Sequence, residues 1–126
     1  SHRTYVANAF GETVFAMVDS DRAVCRILFA AHQCTSSTSK SEIFHKANSL
    51  GFTAIASHQE TFFEPKATGT VYISIYRIQN GEAVNSSEAL CLDTNRSVIV
   101  NSEGSVRNTK MGEIWVDHSG NNHKNW

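Results

Sequence analysis

Proline is nearly missing from this chain: Pro65 is the only one in 126 residues, and the seven glycines are scattered singly. No Pro-rich or Gly-rich linker, internal repeat or domain boundary can be traced. Residues 1–126 therefore fit one domain, with Pro65 in "FFEPKATG" marking a connection between its two halves. That length can bury a real core without disulfide or metal staples.

Cysteine is sparse and odd in number: Cys25, Cys34 and Cys91. Three thiols exclude a disulfide framework and read as reduced, partly buried groups. A Cys25–Cys34 bridge is the alternative in an oxidising compartment. Few cysteines and no recognisable leader point toward the cytoplasm, with secretion left open. The sequons at Asn85 and Asn95 are what chance supplies in a chain rich in Asn, Ser and Thr.

Charge is low as well. Charged residues make up 18% of the chain, against about 25% in typical domains, and the formal net charge is −1. Lys and Arg are spread from Arg3 to Lys124 without forming a stripe. A nucleic-acid partner is thereby disfavoured, and an anionic membrane finds no polybasic handle. No apolar run approaches the roughly 18 residues of a membrane span. Catalytic signatures are also lacking: there is no G-x-S-x-G, Walker loop, H-E-x-x-H, C-x-x-C or G-x-G-x-x-G.

What the chain does have is alternation. Tyr5-Ala7-Ala9 and Val6-Asn8-Phe10 separate onto two faces, and Val14-Ala16-Val18 alternate with Phe15 and Met17. This is the period of two that strands require, and it predicts two strands about a turn at Gly11-Glu12. "RAVCRILFAAH" fits a helix or a strand, and its β surroundings favour strand. Ser39 and Glu42 stand at capping-box spacing, and Ile43, Phe44, Ala47 and Leu50 fall on one helical face before Gly51. One short helix over 40–50 follows.

"GTVYISIYRIQNGEAV" predicts a hairpin, with Asn80-Gly81 in a turn whose two central residues need positive φ. Its return strand meets "NSSE", where a bulge or an early end to pairing is expected. "RSVIVNSEGSVR" predicts a second hairpin about Asn101–Gly104, and "EIWV" the last strand. Phe62 and Phe63 would point opposite ways on a strand. The simpler expectation is a curved loop burying both. Seven or eight short strands and one helix make a mostly β domain, a single antiparallel β-sandwich or partly closed barrel. By fold alone this resembles small β-sandwich lectins and lectin-like pore formers, although no motif of either group is present.

Two stretches carry possible chemistry. Asp19-Ser20-Asp21 has too few oxygen ligands for calcium and suits a turn. The closing "EIWVDHSGNNHKNW" gathers Asp117, His118, Asn121, Asn122, His123 and Trp126. Two histidines five apart share no helix face, and no cysteine is near to complete a zinc site. Neither a metal nor a cofactor is therefore expected.

Asp and Asn supply fixed acceptors and donors, and tryptophan supplies a stacking face. Asp117, His118, Asn121, Asn122 and Trp126 thus form a candidate site for a neutral polar ligand, carbohydrate first. The Asn80-Gly81 and Asn101–Gly104 loops would support it if they lie at the same end. The bland alternative is turn composition at 117–122, a core Trp115 and a docked terminus. The expected protein is a non-catalytic, lectin-like binding module. Its rivals are a self-assembling or protein-interaction module using a strand edge, which would make it a homo-oligomer, and a small hydrolase with a dispersed site.

Overall fold

A computed structural model describes residues 3–19, 40–64, 70–80, 82–93, 97–110 and 112–124. "RAVCRILFAAH", the Ser39 cap, Cys25, Cys34, Asp21, Pro65, Gly81, Asn95 and Trp126 lie outside the described residues. The same holds for the side chains of Asn85 and Cys91.

Among the described residues the fold is mostly β, with one short helix. In chain order come β1 (Thr4–Asn8), β2 (Val14–Asp19), α1 (Lys40–Ser49), β3 (Thr53–Ile55) and β4 (Glu60–Phe63). Then follow β5 (Thr70–Gln79), β6 (Glu82–Asp93), β7 (Val98–Val100), β8 (Val106–Asn108), β9 (Ile114–Val116) and β10 (Asn122–Lys124). One sheet has the order β4-β1-β7-β8, and the other β3-β2-β5-β6. β9 and β10 form a separate two-stranded ribbon. The pairings are antiparallel except that of β1 with β7.

The two predicted N-terminal strands exist, but they do not pair with each other. β1 belongs to the first sheet and β2 to the second, so residues 9–13 carry the chain between layers. Their alternation sorts side chains accordingly. Val6 from β1 and Val98 and Val100 from β7 meet Val14, Ala16, Ile55, Val71, Ile73 and Ile75 from the second sheet. This is the sandwich core, with all nine side chains buried. Each Val or Ile fully withdrawn from water is worth roughly 1.5–3 kcal/mol, so the sheet–sheet contact contributes substantially to stability.

The second sheet is covered on its other face too. Phe15, Met17, Tyr76 and Ile78 pack with Ile43, Ala47 and Phe52 of the helical region. β5 therefore buries both the Val71-Ile73-Ile75 face and the Tyr76-Ile78 face, and the layers run sheet, sheet, helix. The helix occupies the predicted span. It ends where Gly51 takes φ +90°, with Met17 close beside it. Asn80 has φ +53°, as its turn demands.

β6 answers the "NSSE" question with a bulge. Ile73 pairs with Leu90, Ile75 with Ser87 and Tyr76 with Asn85, so β6 takes up extra residues and pairing continues to Asp93. β4 turns Phe63 toward the core and leaves Phe62 42% exposed. The expectation that a curved loop buries both rings is corrected: a regular strand sends adjacent residues to opposite faces. "EIWV" is also not the last strand. β10 follows it, and its polar "NHK" carries no apolar alternation by which a strand would be recognised.

Candidate functional site

Five connections gather at one end of the sandwich. β1 ends at Asn8, level with Val100 at the end of β7 and one register step from Glu60 at the start of β4. Val14 at the start of β2 is opposite both Ile55 and Arg77. Loops 9–13, 56–59 and 101–105, and Asn80 after β5, therefore emerge together. The turn between β9 and β10 joins them through Glu60.

Asn8 organises this end from beneath. It is completely buried, and its Nδ2 donates to the carbonyls of Glu12 (2.9 Å), Ile55 (3.1 Å) and Ala56 (3.2 Å). Its Oδ1 accepts from Phe10 N at 2.9 Å. This buried polar residue is tolerated because these bonds satisfy its amide.

Two loops share one design. In 101–105, Asn101 Oδ1 accepts from the backbone N–H groups of Glu103 (2.9 Å) and Ser105 (3.0 Å), and Gly104 has φ +88°. In 117–121, Asp117 Oδ1 accepts from Ser119 and Asn121, each at 2.9 Å, and Gly120 has φ +88°. Backbone bonds between first and fifth residues close both, Asn101 N to Ser105 O at 2.9 Å and Asp117 N to Asn121 O at 3.0 Å. The sequences N-S-E-G-S and D-H-S-G-N encode one turn: an Asx side chain stands in for backbone at position one, and glycine supplies the left-handed residue at position four.

The β9–β10 ribbon lies on the outer face of the first sheet. Trp115 is buried and stacks on its cross-strand partner His123, with centroids 4.4 Å apart and rings 19° from parallel. Tyr5 meets the same His123 ring at 4.4 Å and Trp115 edge-on at 5.8 Å. Phe62 lies 5.7 Å from Tyr5, with the Arg3 guanidinium 4.4 Å above its ring. Side-chain bonds fasten the ribbon at two points. Arg107 and Glu113 make a bidentate pair at 3.0 Å, and His118 Nδ1 sits 2.6 Å from Glu60 Oε2.

The second oxygen of Asp117 accepts from His123 Nε2 at 2.7 Å. The bond from His123, together with those from the backbone of Asn121 and Ser119, holds this carboxyl at about 2, below its ordinary 3.8. Glu113 is likewise held below the usual carboxylate range by Arg107 and the backbone of Lys110.

The candidate residues thus separate. Asp117 directs both oxygens inward, His118 is paired with Glu60, and the side chain of Asn121 also bonds to Asp117. Asn122 is exposed at the start of β10. Trp126 lies outside the described residues. Two neighbours went unnoticed in the sequence: Glu60, and His58, whose ring meets His118 edge-on at 5.4 Å. Neither carries a local motif, because they reach His118 only through the tertiary placement of the ribbon. His118 and His123 do not converge, since each faces a different carboxylate. Among the described residues no group of three or more His, Cys, Asp or Glu could hold a metal ion. No helix among the described residues is long and apolar enough to cross a membrane. No protein-family model, curated protein or solved structure matches the chain.

Proposed function

We propose that this protein is a non-catalytic binding module for a neutral polar ligand, with carbohydrate the leading class. The observation that carries the reading is the convergence of the Asn-, Ser- and Gly-rich loops at one end of the sandwich, where His58, Glu60, His118 and the 117–122 turn meet. Rigid turns on a β scaffold suit recognition, because their polar groups are already ordered before the ligand arrives. His58, His118, Asn121 and Asn122 offer hydrogen-bonding groups, and Glu60 an acceptor. Exposed Phe62, on the same face of β4 as Glu60, offers an apolar ring edge two residues away.

A glycan array followed by calorimetry tests this reading. The expected result is one class of glycan bound by the unaltered chain, with affinity weakened about tenfold by Asn122→Ala or His58→Ala, equivalent to about 1.4 kcal/mol. Silence across the array sinks the proposal. Unchanged affinity in Trp126→Ala removes that residue from the site.

The self-assembly reading is favoured by a separate feature. Ile114 and Val116, 64% and 61% exposed, share the outward face of the ribbon. Sedimentation across a concentration series separates the two, since a monomer that binds glycan supports the first alone.

A further inference from the structure

The histidine that shares a place with His118 is not His123, its near neighbour in sequence, but His58 from the loop before β4. Their ring centroids are 5.4 Å apart, with the planes at 69°. Both residues are exposed. The separation is informative. Two imidazoles sharing one ion, at metal–nitrogen distances of about 2.0–2.1 Å and a tetrahedral angle, have centroids about 5 Å apart. The two rings already stand near that spacing.

Two further observations point the same way. Glu60 Oε2 lies 2.6 Å from His118 Nδ1 and also accepts from His118 N at 3.3 Å. A carboxylate only accepts, so Nδ1 carries the proton and Nε2 keeps its lone pair. Among the described residues no hydrogen bond engages that Nε2. A carboxylate that fixes one ring nitrogen and raises the basicity of the other is the usual outer support of a metal-ligating histidine. His58, for its part, has φ +58°, a left-handed conformation that side chains rarely adopt. Residues held there cluster at active and ligand sites. Its turn is pinned on both sides. Ser57 Oγ donates to Phe10 O at 2.6 Å, Gln59 N to Ala56 O at 3.1 Å, and Asn8 N to Gln59 O at 2.8 Å. Between these anchors the His58 imidazole makes no hydrogen bond among the described residues, and its ring meets that of His118.

We infer that His58 and His118 form a two-histidine site for a divalent first-row transition cation, with Glu60 as the outer carboxylate of His118 and water completing the coordination shell. Imidazole suits zinc, nickel and copper, whereas magnesium and calcium take oxygen ligands. With two protein ligands the site stays open to solvent. It is compatible with the lack of any three-residue metal group among the described residues, because Glu60 serves His118 and not the ion. The pair was hidden in the sequence because the 56–59 loop and the β9–β10 turn meet only through the contact between Glu60 and His118. The site needs no glycan and does not depend on the binding-module reading.

The experiment is calorimetry of the full chain with Cu²⁺, Ni²⁺, Zn²⁺ and Mg²⁺ in turn, without glycan. One ion per chain is expected for the first three, with copper the tightest, and no heat of binding for magnesium. His58→Ala and His118→Ala should each weaken nickel binding about tenfold or more, and Glu60→Gln about tenfold. His45→Ala, exposed on α1, should leave it unchanged. Absence of binding by copper, nickel and zinc overturns the proposal. So does nickel binding that survives both His58→Ala and His118→Ala. A second measurement uses unaltered protein and stands even if a variant folds poorly. In nitrogen-15 spectra of the imidazoles, one equivalent of Zn²⁺ should move the His58 and His118 rings together, with His118 shifting at Nε2 while Nδ1 keeps its proton. Movement of one ring alone, or ligation through His118 Nδ1, overturns the proposal. A silent glycan array leaves these results as they are, so the two readings fail separately.

Discussion

At the scale of single residues, the decisive positions are small and polar. Asn8 satisfies three carbonyls and one N–H from a fully buried position. Truncating it leaves the buried Ile55 carbonyl without this partner and breaks three part-buried bonds, so Asn8→Ala should cost about 2 kcal/mol in urea unfolding. A cost under about 0.5 kcal/mol, typical of an unimportant surface position, would contradict that role. The paired turns allow a sharper comparison. Gly104 and Gly120 share φ +88°, where a side chain costs roughly 1–2 kcal/mol. A Cβ on Gly104 would also meet Arg77 Cδ at 2.5 Å, whereas one on Gly120 meets nothing. Gly104→Ala should therefore destabilise more than Gly120→Ala, and Arg77→Ala should narrow the gap, leaving the contact with Phe10 Cε1 at 3.3 Å. Equal costs in the unaltered background would contradict the crowding at Arg77. The sequence showed Asn101–Gly104 as a hairpin loop, and 117–122 only as a candidate ligand site with turn composition as its rival reading. It could not display Asn8, which falls on an apolar face and looks like a defect until its partners are folded around it.

Elements were legible where periodicity was strong, and obscure where tertiary contact replaces it. The α1 span and the β5–β6 hairpin follow from local rules, and the bulge falls where "NSSE" breaks the pattern. β10 has no apolar alternation because only His123 faces inward, and it is held by stacking between Trp115 and Tyr5. That attachment has a pH signature. Asp117 has a folded pKa below its ordinary 3.8, so its ionised form favours the folded ribbon. The contribution is fully present above 3.8 and fades as pH falls toward about 2. The Asp117-dependent part of the protection of the β9–β10 amides should fall within that window. Asp117→Asn should remove the dependence. Protection already lost above the window would contradict it.

For the whole molecule, the β class and the inward sorting of apolar residues were readable from the chain, but the distribution of strands between sheets was not. Alternation says which side chains share a face. It does not say which sheet owns the strand, so β1 and β2 looked like partners although the sandwich separates them. Nor does it show that a helix covers the outer face of β5, which explains why Tyr76 and Ile78 are buried opposite Ile73 and Ile75. The loop end was assembled from segments far apart in sequence, and Glu60 and His58 joined it only there. The most direct measurement is an NMR titration of the full chain with the best glycan from the array. Shift changes centred on residues 58–60 and 117–122 are predicted. Changes confined to the α1 side, or spread evenly without saturation, would contradict recognition at the loop end.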